Sequence, residues 1–265
     1  MTAPAVEIAH PGLRVQVIPC RQDNYGFLLT DTATGATAVV DAPEAGPLRA
    51  AIDAAGGRLD LILLTHHHGD HVEGVAELVD AYGAKVIGAA ADAHRLPPLD
   101  REVAEGDEVA LGDSRLRVID VPGHTVGHIA LHFPAAGVLF AADSLMALGC
   151  GRLFEGTALQ MWDSLSKMAA LPPETQVYSG HNYGAANGRF ALSIEPDNAA
   201  LQARVKAIAE ADAAGRPIIP VTLAEERATN PFLRAVEPSV KAAVGLPEAD
   251  DAAVFAEVRR RKDVF

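Results

Sequence analysis

Along the first two thirds of the chain, apolar positions fall in short runs of strand type: LRVQVIP (13–19), YGFLLT (25–30), ATAVVDA (36–42), LDLILLT (59–65), KVIGA (85–89), LRVIDVPG (116–123), HIALHF (128–133), VLFAAD (138–143) and TQVYSG (175–180). Helical spacing interrupts them at 46–55, 72–82 and 158–171, and each of these stretches runs into Gly or Pro. So many strands in this length predict large or paired sheets. After His181 the texture changes: DNAALQARVKAIAEADAAG (197–215) and EADDAAVFAEVRRRKDVF (248–265) have helical spacing, and β-rich runs nearly disappear. The pattern predicts a mixed α/β domain over residues 1–174 and a smaller α-helical domain over 175–265, with no internal repeat.

Composition narrows this only a little. With 265 residues, 49% of them apolar, the chain can bury a sizeable core. No window approaches the roughly 18 apolar residues of a membrane span, and MTAPAVEIAHPGLR lacks the basic segment and apolar stretch of a secretory signal, so a cytoplasmic protein is expected. Cys20 and Cys150 read as two reduced thiols rather than a disulfide framework. A formal charge of −13 argues against nucleic acid as a partner, because phosphate binding needs clustered Lys and Arg. One cluster runs against the balance: RRRK at 259–262, which on composition alone is a basic last helical turn complementing the helix dipole.

The chemistry enters at THHHGDH. His66, His67, His68, Asp70 and His71 directly follow the strand-like LDLILL, which places them on a loop at its C-terminal end, a usual location for α/β active sites. Packed imidazoles are costly to bury, whereas a divalent ion binds imidazole nitrogen and carboxylate oxygen directly. If His66 and His68 face a metal, His67 points away as a structural hydrogen-bonder. Three further signals also follow strand-like runs: His124, Asp143 and His181. His66, His68, Asp70, His71, His124, Asp143 and His181 are too many groups for one four-coordinate ion with an open position, so two metals fit better, with Asp143 as the natural bridge. Two such ions can share a hydroxide of lowered pKa and polarise a carbonyl or phosphoryl oxygen, which predicts hydrolysis. There is no G-x-S-x-G elbow to supply a serine nucleophile.

The set THHHGDH, GHTVGH, AADS and GH resembles the metallo-β-lactamase superfamily, whose fold is an αββα sandwich. Within it, DNYGFLL, GCGRLFEGT, GHNYG, NPFLR and RRRKDVF resemble the glyoxalase II (hydroxyacylglutathione hydrolase) family over essentially residues 13–265. The resemblance implies a binuclear centre, zinc first with iron or manganese as alternatives. His66, His68 and His124 would serve one ion and Asp70, His71 and His181 the other, with Asp143 between them. It implies a glutathione thioester, S-D-lactoylglutathione, as substrate, split to D-lactate and glutathione by a metal-bridging hydroxide. Asp70 would orient that nucleophile. Arg259 and Lys262 would hold the glycine carboxylate of glutathione and Tyr183 would hydrogen-bond it. Arg152 occupies a position where the family carries Lys or Arg.

His128 falls outside the ligand set, and His10, His94 and His132 match nothing in it. Two residues depart from the family: Phe154 where some members have Tyr, and Asn182 where many have Glu. The expected partner is a small-molecule thioester, with neither nucleic acid nor membrane, and a monomer is expected. The competing readings are a mononuclear persulfide dioxygenase, a lactonase or β-lactamase, a nuclease and a noncatalytic metal-binding module.

Overall fold

The structure is a computed structural model and describes residues 5–265. Contacts divide them into two compact units. The first runs to Asp120 and takes in Gly127–Ala141, and the second comprises Val121–Val126 and Ala142–Phe265. Compactness and composition therefore divide the chain differently. The texture changes near residue 174, but the second unit already begins with the Gly123-His124 segment and the chain after Ala142.

The first unit opens with β1 (Val6–His10), β2 (Leu13–Cys20), β3 (Asn24–Asp31) and β4 (Thr37–Val40), followed by α1 (Ala45–Ala54) and β5 (Leu61–Leu63). The short α2 (Gly69–Val72), α3 (Val75–Tyr82), β6 (Lys85–Ala89) and β7 (Arg101–Val103) complete one seven-stranded sheet in sequence order. Its first four strands pair antiparallel and β4 through β7 pair parallel. β8 (Glu108–Leu111), β9 (Ser114–Asp120), β10 (Ile129–Phe133) and β11 (Val138–Ala142) form an antiparallel meander.

Both faces of the large sheet are covered, which is why β3 and β4 read as nearly continuous apolar runs. On one face Leu28, Val39 and Ile62 pack with Leu48 and Ile52 of α1 and Leu78 of α3. On the other, Phe27 of β3 meets Phe140 of β11 with ring centroids 5.2 Å apart, and Phe140 meets Phe133 at 6.1 Å.

The helix expected at 72–82 is α3, which starts three residues later, after a break at Gly74 that separates it from α2. There the Gly74 N–H donates to Ala42 O at 2.8 Å, and a Cβ would lie 2.8 Å from the Ala45 nitrogen. Backbone packs on backbone at that point, a constraint the periodicity does not carry. β1, β7 and β8 are additional to the expected strands, being short or exposed on alternate positions.

In the second unit α4 (Ala158–Ala169) begins with a capping box formed by Thr157 and Gln160. β12 (Gln176–Ser179) pairs antiparallel with the two-residue β13 (Val221–Thr222). The other elements are α5 (Gly184–Ile194), α6 (Ala199–Ala213), α7 (Leu223–Thr229), α8 (Pro238–Ala243) and α9 (Asp251–Asp263). An aromatic chain joins them: Trp162 to Phe255 at 6.0 Å, Phe255 to Phe232 at 5.9 Å and Phe232 to Phe190 at 5.9 Å. Through Trp162 and Phe255, α4 packs with α9 within the second compact unit. Among the described residues no helix is long and apolar enough to cross a membrane.

Asp31 locks the end of β3 to the start of β9. Its carboxylate accepts from Thr34 N–H (2.8 Å) and Oγ1 (2.7 Å) and from Ser114 N–H (3.0 Å) and Oγ (2.7 Å). Burial works to raise its pKa, but these donors outweigh it and hold the carboxyl well below the usual carboxylate range. A depressed carboxylate pKa contributes stability that is complete above its unfolded value near 4 and is lost as pH falls toward the folded value. Asp31→Asn is expected to cost roughly 2 kcal/mol at neutral pH. In thermal unfolding followed from pH 7 down to pH 2, the gap to the wild type should close at the acid end, and a gap independent of pH would contradict this account.

Candidate metal centre

In the first unit the loop after β5 carries THHHGDH to the C-terminal edge of the parallel strands. Its fixed point is Asp41, just past β4, with φ +54°. Asp41 Oδ1 accepts the Thr65 N–H at 2.9 Å, and Oδ2 accepts the Thr65 hydroxyl at 2.8 Å and faces His71 Nδ1 at 2.8 Å. A carboxylate can only accept, so His71 carries its proton on Nδ1 and presents the Nε2 lone pair.

The same logic passes to His66, whose Nδ1 is 3.1 Å from Thr65 Oγ1. The one hydroxyl proton of Thr65 is committed to Asp41, so toward His66 it accepts, and His66 Nε2 is also left as a lone pair. That nitrogen lies 3.2 Å from His68 Nδ1, near the ~3.3 Å separation of two nitrogens held about 2.0–2.1 Å from one tetrahedral ion. Asp41, His66 and His71 are close enough to form a metal-holding triad. Both Asp41 oxygens already accept hydrogen bonds from Thr65 or His71, an arrangement suited to orienting these residues.

Asp70 is anchored by Asn24, whose Nδ2 donates to Asp70 O at 3.0 Å and to Oδ2 at 3.1 Å, and Asp70 Oδ2 is 3.9 Å from His71 Nε2. His67 turns away, as expected, and its Nδ1 pairs with buried Asp92 at 2.9 Å. His128 stacks on His66 at 4.6 Å and 16°.

The second unit assembles its own group. Asp143 Oδ2 lies 3.4 Å from His124 Nε2 and 3.3 Å from His181 Nε2, all three side chains being buried. His124 Nδ1 is 2.8 Å from the Arg152 carbonyl, which can only accept, so here too Nε2 is the lone-pair nitrogen facing the carboxylate. Gly151 makes the approach possible, because a Cβ there would sit 2.1 Å from Asp143 O and 2.9 Å from the His124 ring. Tyr183 stacks on His181 at 4.7 Å and 7°, and Phe154 meets the His124 ring edge-on at 5.3 Å. The two groups supply five imidazoles and two carboxylates, a donor set suited to two divalent ions.

Comparison with known proteins agrees with this chemistry. A sequence profile of the metallo-β-lactamase superfamily matches residues 22–181, and one described as the hydroxyacylglutathione hydrolase C-terminus matches residues 182–265. A hydroxyacylglutathione hydrolase of Cereibacter sphaeroides is 62% identical over 96% of this chain and 99% of its own. One of Ruegeria pomeroyi is 57% identical over the same shares. The chain belongs to the hydroxyacylglutathione hydrolase family. The α/β class and sandwich fold expected from the motifs are those of its superfamily, followed by a helical C-terminal region. The crystal structure of TTHA1623 in a di-iron-bound form superposes with a TM-score of 0.61 at 26% identity, covering 82% of this chain and 98% of that one.

Family membership turns attention to the polar groups of the second unit. Tyr183 is 40% exposed, and the Arg152 guanidinium lies over the Phe154 ring at 5.8 Å. The basic run of α9 divides by role. Arg260 and Arg261 both pair with Glu257, whose carboxyl they hold down at about 2. Arg259 is buried, with Nη1 donating to Cys150 O at 3.1 Å, an ion pair to Asp263 at 2.8 Å and Phe232 beneath it at 5.1 Å. Lys262 Nζ donates to Ala186 O at 3.2 Å, and burial, then the neighbouring Arg259 and Arg189, lower its pKa. Asn182, the departure beside His181, donates to Asp212 at 2.9 Å. Burial pushes the Cys20 and Cys150 thiols up to about 12 and about 11, so neither is a nucleophile.

Asn24 and Asp41 hold two of the candidate ligands, Asp70 and His71, and neither is among the candidates named from the sequence. Both lie in strand-forming stretches, DNYGFLL and ATAVVDA, and Asp41 carries the same mark as Asp143, an Asp at a strand end. Asp41→Asn should weaken metal binding roughly 10- to 100-fold, because an amide nitrogen cannot accept both the Thr65 hydroxyl and His71 Nδ1–H. Chelator competition measures this, and unchanged affinity would mean that His71 is oriented by something else.

Proposed function

We propose that this chain hydrolyses 2-hydroxyacylglutathione thioesters, S-D-lactoylglutathione among them, releasing the hydroxy acid and glutathione. The observation that carries this reading is the family match over residues 182–265, since the superfamily profile alone covers hydrolases of many kinds. Two divalent ions belong to the reading, zinc first and iron or manganese as substitutes. His66, His68 and His124 hold one, Asp70, His71 and His181 hold the other, and Asp143 is shared by both. Support comes from the lone pairs presented by His66, His71 and His124 and from the placement of Asp143 Oδ2 beside two imidazoles. Such ions lower the pKa of water and polarise a carbonyl oxygen.

The chain's own groups do the rest. Asp70, anchored by Asn24, orients the attacking water and takes its proton on a carboxylate oxygen. Oxygen bonds to the thioester carbon, the C–S bond breaks and the sulfur leaves with its electron pair. A thiol of reference pKa about 8.5 departs as thiolate without a general acid. Tyr183 and Arg152 receive the peptide part of glutathione. Lys262 and Arg259 receive its glycine carboxylate, Lys262 carrying the larger share because Arg259 is already paired with Asp263 and Cys150 O. Phe154 at the family's Tyr position removes one hydroxyl from this surface. The chain acts as a monomer in the cytoplasm, where its two thiols stay reduced.

A persulfide dioxygenase reading is not favoured, since the full-length relatives at 57–62% identity carry the hydrolase name. Thiol release from S-D-lactoylglutathione, with metal analysis on the same sample, tests the activity. Asp143→Ala should lose turnover and metal together, and an active, metal-replete variant would remove the shared-ligand assignment. Lys262→Ala should raise KM for glutathione thioesters several-fold with little change on simple acyl thioesters. Equal loss on both classes would show that Lys262 is no glutathione contact.

A further inference from the structure

One motif of the family resemblance, NPFLR at 230–234, has no part in the chemistry so far, and the segment it touches follows Asp143 directly. Residues 144–150 are buried and belong to neither helix nor strand. Buried backbone polar groups need partners, and in this segment few are local. Met146 and Gly149 exchange two hydrogen bonds of 3.0 Å each, closing a turn with Leu148 at φ +57°. That left-handed conformation costs a non-glycine residue about 1–2 kcal/mol and persists only where its surroundings hold it.

The turn is held by side chains from distant helices. Leu148 N–H donates to both Glu226 oxygens, at 3.1 and 3.3 Å. Asn230 Nδ2 donates to Gly149 O at 2.9 Å and Met146 O at 3.2 Å, and also to Glu226 Oε2 at 2.9 Å. Asn187 Nδ2 reaches Ala147 O at 3.1 Å, and Arg259 reaches Cys150 O. Glu226 and Asn230 are both fully buried and adjacent on one turn of α7 and its cap. Burial pushes the Glu226 carboxyl up to about 7 against the bonds that favour its charge. A carboxylate kept in so dry a place needs a structural reason.

The two ends of this loop are where the chemistry lies. It leaves from Asp143 and returns at Gly151, which packs on Asp143 O and the His124 ring, and the next carbonyl, Arg152 O, accepts the proton that fixes the His124 tautomer. We propose that Glu226 and Asn230 are positioning residues of the metal centre. By clamping the 146–149 turn they set the Asp143 carboxylate and, through Arg152 O, the His124 ring. The rest of the motif supports the clamp: Phe232 N–H donates to Asn230 Oδ1 at 3.0 Å, while Arg234 pairs with Glu195 at 2.6 Å away from the loop.

The inference rests on Asp143 and His124 being metal ligands, and the test separates the two. Metal affinity by chelator competition, cobalt absorption spectra, kcat and melting temperature are compared for Asn230→Ala, Glu226→Gln, Arg234→Ala and Asp143→Ala. Asn230→Ala is expected to weaken metal binding roughly 10- to 100-fold and to lower kcat more than it raises KM. Glu226→Gln, which retains one acceptor oxygen for Leu148 N–H, should show a smaller loss and shifted cobalt bands, and it carries the test if Asn230→Ala does not fold. Arg234→Ala should lower the melting temperature with metal affinity intact. If Asn230→Ala and Glu226→Gln bind metal as the wild type does, or lose affinity only as far as Arg234→Ala does, the positioning role is overturned. If Asp143→Ala itself keeps both ions, the ligand assignment fails instead.

Discussion

An imidazole can serve a metal only through a nitrogen without a proton, so its other nitrogen must donate to something that accepts and nothing else. Much of this structure follows from that requirement. Asp41 meets it for His71 and, through the Thr65 hydroxyl, for His66, and the Arg152 carbonyl meets it for His124. Each acceptor has to be rigid, since a lone pair displaced by half an ångström weakens a bond of about 2 Å. Asp41 is rigid because it sits in a left-handed turn at the end of a fully buried strand. Arg152 O is rigid because the chain before it packs on Asp143 without room for a side chain.

Stability and function are joined at these same places. The sheet of the first unit, antiparallel over β1–β4 and parallel over β4–β7, puts its strand ends at one edge, where a loop of imidazoles can be displayed, and the apolar layers on both its faces keep that edge still. In the second unit the helices supply donors to a loop that makes almost no secondary structure of its own. The buried Glu226 and the left-handed Leu148 are local costs carried by the surrounding fold. The C-terminal helices therefore carry the basic run of α9 and also complete the hydrogen bonding of the segment after Asp143.

The fold was legible where the apolar period was clean. KVIGA became β6 at its expected bounds, and HIALHF, VLFAAD and TQVYSG became β10, β11 and β12 within a residue or two. Four strands escaped, β1, β7 and β8 being short or half exposed and β13 only two residues long, and the helix expected at 72–82 starts three residues later because of a backbone contact at Gly74. Composition places a change of texture near residue 174, whereas compactness follows contacts, and Trp162 against Phe255 packs α4 in the second compact unit.

What the sequence determined by itself was the inventory of reactive groups: seven imidazoles and carboxylates at strand ends, two thiols too isolated for a framework, and a basic final helix. Those are properties of residue type and spacing, and they survive being written in one dimension. Tertiary structure decided which nitrogen of each ring carries the proton and which carbonyl or carboxylate receives it. It also decided that Asp41 is spent on Thr65 and His71 while Asp143 Oδ2 faces two imidazoles, and that Arg260 and Arg261 are taken up by Glu257. The acceptors concerned include backbone carbonyls, which every residue has, so no residue-type pattern could have marked Arg152 O or the turn at Leu148 before the chain was folded around them.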